Sequence, residues 1–194
     1  MRLFRALLAL LLWCAVGCAV TSKGTPLDVR WYTPTVVHPT TPSQADASRP
    51  LLRLGRVSSG IDLGVRIAYG DGAYEAGYYE GRRWTERPEN YVRIALERAL
   101  FEEGEFQRAV EGDAPTLDVK VREFGEIRSP HSHAGRVTLH ILLSTDRILL
   151  EDTIAATEPV TGDRFDDVVA AISRAQKAAA EETARRVNAA MGPH

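Results

Sequence analysis

The last stretch of the chain constrains the fold most. From Phe165 to Met191, the residues Val168, Ile172, Ala175, Ala179, Thr183, Val187 and Met191 recur three or four positions apart, while Arg174, Lys177, Glu181 and Arg185 fall away from that stripe. This period predicts one long amphipathic helix, and its many alanines permit close approach to a sheet or to another helix. The region upstream has the period of a sheet. Leu117, Val119 and Val121 alternate with Asp118, Lys120 and Arg122, and Val137, Leu139, Ile141 and Leu143 repeat the pattern against Thr138 and His140. Two-residue alternation places one row of side chains in a core and the other in water. Ser144 to Arg147 then turns the chain, and Ile148 to Ala155 forms the next antiparallel strand. The expected class is α+β, an antiparallel or mixed sheet packed against two main helices that include the long C-terminal one.

Earlier segments complete that plan. Leu27 to Tyr32 reads as a first strand, with β-branched and aromatic content. Thr33 to Pro50 carries Pro34, Pro39, Pro42 and Pro50 among threonines and serines, a composition that forms no helix and reads as a connection. Leu52 and Leu54 mark an apolar stretch, and Val65 to Tyr69 a second short strand. Gly70-Asp71-Gly72 has the residues of a tight reversal, because glycine accepts positive φ and aspartate bonds nearby backbone. Ala73 to Tyr79 would return antiparallel, with Tyr74 and Tyr78 on one face and Tyr69 close across the turn. Cross-strand aromatic packing is the ordinary role for such tyrosines, and a ligand-stacking platform is the alternative. Pro88 suits a first helical turn, so a helix is expected over Glu89 to Glu103, ending near Gly104. Val92, Ala95, Leu96, Ala99 and Leu100 form its apolar stripe. Ile94 and Phe101 fall on roughly the opposite side, where they cover a loop or meet a partner subunit.

The 194 residues suit one domain, expected over 27–194, with the Pro/Thr-rich connection 33–50 inside it. Lys+Arg number 24 against 26 Asp+Glu, and loss of Arg2 and Arg5 with a leader leaves 22 against 26, a formal charge of −4. Such a balance has no general attraction for phosphate backbones, which argues against nucleic acid as a partner. Both cysteines, Cys14 and Cys18, lie in the first eighteen residues, so the folded part has neither a disulfide nor a cysteine metal site.

The leader explains those cysteines. Arg2 and Arg5 precede an uncharged run from Ala6 to Ala15, the pattern of an export signal, here residues 1–17. Ala15-Val16-Gly17-Cys18 comes next, and it resembles a bacterial lipobox: a small residue directly before a cysteine at the end of the apolar run. Ala15 stands where leucine is most common. A thiol at the membrane surface can accept a diacylglyceryl group, and cleavage before it frees an amine for a third chain. Each buried methylene contributes about 0.8 kcal/mol, so several acyl chains hold a water-soluble body where one is marginal. Residues 18–26 would be the lipid-anchored tether. Ala19 succeeds the cysteine where inner-membrane retention signals usually place aspartate, which favours the outer membrane and a periplasm-facing domain. An ordinary secretory leader cut nearby is the competing reading.

Catalytic patterns are sparse. Gly70-Asp71-Gly72 matches neither nucleotide fingerprint, and there is no nucleophile elbow. His131-Ser132-His133 is the one dense histidine cluster. Two imidazoles without further fixed ligands make a weak zinc site at best, so a solvated loop is expected, with no metal and no cofactor. Arg82, Arg83 and Arg87 flank Trp84 beside Glu80 and Glu86, either as a cationic patch for anionic headgroups or as exposed ion pairs. Glu151-Asp152 lies on a strand, and Asp166-Asp167 opens a helix whose dipole acids favour.

The order of these parts resembles the ABC-type transport auxiliary lipoproteins, the PqiC-like family. The resemblance rests on Cys18, on the early strand ending Trp31-Tyr32, on the tyrosine-rich hairpin leading to Arg83-Trp84 and Pro88, and on the tail Asp167-Val168-Val169-Ala170-Ala171-Ile172. It implies a non-enzymatic outer-membrane lipoprotein that partners an MCE-domain protein and an inner-membrane permease and ATPase in lipid transport. It also implies helices packed on a sheet, and a homo-oligomeric ring among the states such proteins can adopt. Arg82, Arg83, Trp84, Arg87, Ile94 and Phe101 are the candidate partner or headgroup contacts, and Cys18 the lipidation site. The alternative is a periplasmic lipoprotein that binds a small apolar ligand or supports envelope assembly without a transporter.

Cys18→Ala is expected to abolish acylation. Intact-mass measurement of membrane-extracted protein should register the loss of the acyl mass, and an unchanged mass would place the modification elsewhere.

Overall fold

A fourteen-residue strand organises the computed structural model, which describes residues 28–34, 48–129 and 132–192. The leader, Cys18, the tether, His131 and most of the Pro/Thr-rich connection lie outside those residues. The elements run β1 (Arg30–Tyr32), β2 (Leu51–Ser59), β3 (Arg66–Gly70), β4 (Ala76–Trp84), α1 (Pro88–Glu97), a π-helical turn (Arg98–Glu102), β5 (Gln107–Arg108), β6 (Thr116–Ser129), β7 (Ser132–Ser144), β8 (Ile148–Pro159) and α2 (Phe165–Met191). At about 3.3 Å per residue β6 is about 46 Å long, enough to serve two neighbours along one edge. Its first half pairs parallel with β2, from Thr116 to Val121, and its second half pairs parallel with β3, from Gly125 to Ile127. Its other edge pairs antiparallel with β7, and β7 with β8. The result is one mixed eight-stranded sheet, in which β1 and β4 extend the β3 side and β5 closes the β2 side.

Both helices lie on the same face. Val168, Ile172, Ala175, Ala179 and Val187 of α2 are buried against Leu117, Val119, Val121, Val137, Leu139, Ile141 and Leu143, the two alternating rows read from sequence. Close approach is enforced at Gly135 of β7, where a Cβ would collide with the backbone of Ala171 and Ile172. Helix α1 contributes Val92, Leu96 and Leu100, and Gln176 of α2 donates its side-chain N–H to the carbonyl of Tyr91 at 2.8 Å, tying the helices together inside the core. Asp167 accepts the backbone N–H of Arg164 at 3.0 Å, so an acid at the start of α2 caps the helix it opens. The opposite face, including Lys120, Thr138, His140, Glu151 and Thr153, is left without a helix among the described residues.

Several sequence expectations change. The first strand shortens to Arg30–Tyr32, because its ladder reaches only Arg82–Trp84 at the end of β4. The β3–β4 reversal is wider than Gly70-Asp71-Gly72. One carboxylate oxygen of Asp71 accepts the N–H groups of Ala73, Tyr74 and Glu75 at 2.8, 2.9 and 3.0 Å, which delays β4 to Ala76. Tyr74 therefore belongs to the turn and stands in solvent, and Tyr79 packs edge-on to Tyr69 at 5.2 Å instead. The register explains this: Tyr69 faces Gly77, and Tyr79 is the next residue on that face. The helix after Pro88 keeps its predicted span but ends in a π turn, closed by the Glu103 N–H on the Arg98 carbonyl at 2.9 Å. The extra residue in that turn rotates the final part of the helix, and Phe101 packs against the core rather than opposite it.

Gly135→Ala should destabilise the fold by about 1–3 kcal/mol, since the new methyl can be accommodated only by lifting α2 off β7. Urea unfolding monitored by circular dichroism measures it, and an unchanged midpoint would mean that the helix sits farther from the strand.

Candidate functional site

The edge where β1, β4 and β3 meet the start of α2 concentrates the molecule's cations and aromatic rings, on two opposite faces. On the inner face, Phe165 opens α2 and lies against Tyr32 of β1 at 4.8 Å and against Tyr79 of β4 at 4.6 Å between ring centroids. Arg82 stacks over Phe165 at 4.5 Å and donates a hydrogen bond to the Tyr32 hydroxyl. Farther along, Arg128 of β6 lies over Tyr69 and Tyr79 at 4.3 and 4.6 Å. Aromatic faces attract guanidinium groups electrostatically, so these contacts order cations that water would otherwise leave free.

Beneath Arg128 is Glu126, a carboxylate with almost no exposed surface. It accepts hydrogen bonds from the Tyr79 hydroxyl and from Arg128 Nε, the latter at 2.7 Å, and its other oxygen is 3.2 Å from His133 Nδ1. Burial, and then the hydrogen bond to Glu126, push the Tyr79 hydroxyl up to about 12. Burial alone would lower Arg128, but its hydrogen bonds to Glu126 and Tyr79 outweigh that and hold it above the usual arginine range. A buried carboxylate without partners is strongly unfavourable, and here three elements, β4, β6 and β7, each supply one. Glu126 has no signature in the sequence. The alternation Leu117, Val119, Val121 points the odd positions inward, but the pairing with β7 shifts between Val121 and Glu123, and beyond it the inward positions are Phe124 and Glu126.

The outer face of the same edge is different. Trp31 pairs with Arg83, and Arg83 with Arg66, which places the three side chains on one face. Trp31 is 58% exposed. Arg66 stacks over the Tyr78 ring at 4.0 Å, and Arg83 donates to the carbonyls of Arg82 and Tyr79 at 2.8 and 3.2 Å, in the bulge that Gly81 makes possible with a φ of +66°. Trp84, by contrast, is fully buried, edge-on to Phe124 at 5.5 Å, and has no surface to offer a partner or a headgroup. Its neighbour Arg83, the residue paired with Trp31, is the more exposed of the two. Arg87 is held by Glu89 at 2.8 Å. Ile94 is 40% exposed on α1, while Phe101 lies beneath Arg108 at 4.6 Å. The six nominated residues thus divide among the core, an ion pair, α1 and this edge.

His133 belongs to β7 rather than to a loop, and among the described residues no group of three or more His, Cys, Asp or Glu side chains could hold a metal ion. No described helix is long and apolar enough to cross a membrane.

The model of the ABC-type transport auxiliary lipoprotein component family matches residues 32–184. The chain belongs to that family. Its fold recurs in a crystal structure of a protein from Xanthomonas campestris, with a TM-score of 0.68 and 22% identity, over 84% of this chain and 97% of that one. An uncharacterized protein gives a TM-score of 0.62 at 16% identity, over 81% and 97%. A hypothetical protein from Chlamydia trachomatis gives 0.51 at 7% identity, over 72% and 96%. No curated protein matches the sequence. The membership makes this an auxiliary transport lipoprotein associated with an ABC transporter, in a family not known for catalysis.

Tyr79→Phe should cost about 1.5–3 kcal/mol at neutral pH, the range for a hydrogen bond to a charged group. A hydroxyl whose pKa is raised on folding contributes stability that is complete below the unfolded value of 10 and is lost as pH rises towards about 12. Urea midpoints measured over that window should therefore fall more for the native protein than for Tyr79→Phe. Parallel curves would show that the hydroxyl does not face Glu126.

Proposed function

We infer that this lipoprotein is the docking subunit of an MCE-type ABC lipid transport system, acylated at Cys18 and held at the outer membrane facing the periplasm. The observation that carries this reading is the family match over residues 32–184 in a chain whose leader ends at Ala15-Val16-Gly17-Cys18. The acyl chains fix location, and the folded body fixes the partner, an MCE-domain protein working with an inner-membrane permease and ATPase. No turnover is required of the subunit. Ile94 and Arg87, on and before α1, are the nominated contacts that keep exposed surface for such a partner. A ring of several copies would suit a tubular MCE partner.

One observation favours the second reading, a small apolar ligand. A groove of about 340 Å³ runs between the β3–β4 turn and β6, lined by Leu63, Ala68, Phe124 and Ile127 together with Glu123 and Arg136. Native mass spectrometry of the purified protein would detect a retained small molecule there.

Detergent extraction of the full-length tagged chain should recover an MCE protein or its permease. Ile94→Asp should lower that recovery several-fold while changing stability by no more than about 0.5 kcal/mol, as exposed substitutions do. A clean preparation lacking both proteins would reject the transporter role.

A further inference from the structure

We propose that the outer face of the β1–β4 edge, formed by Trp31, Arg66, Tyr78 and Arg83, is a second membrane contact that rests on the anionic bilayer surface to which the chain is tethered. The inference rests on the reading that Cys18 is acylated, and goes beyond it by assigning a lipid-facing side to the folded body.

Trp31 is an exposed indole on an edge strand, and Val29, two residues before it, is also exposed. Indole rings favour the headgroup region, where an apolar body and a polar N–H are both accommodated. Beside Trp31 are Arg83 and Arg66, neither with a carboxylate partner among the described residues, although nearby Arg30 and Arg87 are paired with Asp28 and Glu89. Arg83 donates to carbonyl oxygens, which order the side chain without supplying an opposite charge. Glu80 and Glu86 flank the stretch in sequence and form no ion pair with either arginine. Ordered, uncompensated guanidinium groups next to an exposed tryptophan complement phosphate headgroups.

The tether selects the membrane over other anionic surfaces. Trp31 is thirteen residues beyond Cys18, so even a fully extended chain keeps it within about 45 Å of the acylated sulfur. A contact linked over so short a span becomes intramolecular, and an affinity too weak to hold a free protein suffices. Trp31 and Arg83 lie where the tether enters the fold, opposite the core, so the patch can meet the bilayer without disturbing α2. Its consequence is orientation: the outer face of the β1–β4 edge is turned towards the lipid, and α1 and α2, packed on the inner face, lie on the side away from it.

The protein carries its own probe. Beyond the leader the chain has two tryptophans, Trp31 exposed and Trp84 buried. The chain from Cys18 onward, produced without acyl groups so that the anchor plays no part, is mixed with vesicles of phosphatidylcholine and phosphatidylglycerol, or of phosphatidylcholine alone. The expected result is a blue-shifted emission, quenched by brominated lipid, with the anionic vesicles only. Trp31→Phe should remove the signal, and Arg66→Gln with Arg83→Gln should weaken binding about twenty-five-fold, at about five-fold per arginine. Added salt should reverse it. Lys177→Gln, an exposed charge on α2, should change nothing. Because Arg83 also supports the bulge, each variant is compared by its urea midpoint, and Arg66→Gln alone carries the test if the double variant unfolds. Absence of a shift with anionic vesicles, a shift equal on both lipids, or one that survives Trp31→Phe would overturn the proposal. So would patch variants that bind vesicles normally but no longer recover the transporter, since the face would then belong to a protein. Failure of acylation or of transporter recovery leaves this readout unaffected and is detected separately.

Discussion

The approach of α2 to the β6–β7 pair is the constraint on which the rest depends. Alanines at 171, 175 and 179 and the missing side chain at Gly135 bring helix backbone against strand backbone, and the apolar rows of β6 and β7 are buried by that contact. Buried apolar area is the main favourable term in folding, and the chain beyond Cys18 has no cysteine to supplement it. Once α2 is placed, its first residue, Phe165, falls between Tyr32 and Tyr79, and the far edge of the sheet is fixed through aromatic contacts.

A polar network anchors that same edge from beneath. Glu126 is buried among groups from three strands, and each partner is itself constrained: Tyr79 by Tyr69 and Phe165, Arg128 by the two tyrosine rings. Buried polar groups of this kind tolerate few alternatives, because any rearrangement that removes one partner leaves a desolvated carboxylate behind. Their effect is to hold β1, a strand of three residues, in register beside β4. The consequence for function is positional. The short strand is held rigidly enough to present Trp31 and Arg83 in a fixed orientation.

The two faces of the sheet have separate roles on this account. The inner face is occupied by the helices and decides stability. The outer face is free of helix among the described residues, and its edge carries uncompensated arginines and an exposed indole. An auxiliary lipoprotein needs both a stable body and surfaces offered in defined directions relative to a membrane.

Sequence alone determined the class and the principal layers. The three-and-four spacing over Phe165–Met191 gave the long helix and the alternations in β6 and β7 gave the core-facing rows, because each is a periodic pattern that local physics interprets without a partner. Tertiary structure decided what depends on register. A shift after Val121 reversed the facing of β6 and put Glu126 inside, a three-amide contact at Asp71 moved Tyr74 into solvent, and a π turn rotated Phe101 towards the core. Trp31 and Trp84 are similar as residues in a sequence, yet one is exposed and the other buried. Strand pairing assigned them to opposite faces, and pairing between distant segments is a property that no local window of residues contains.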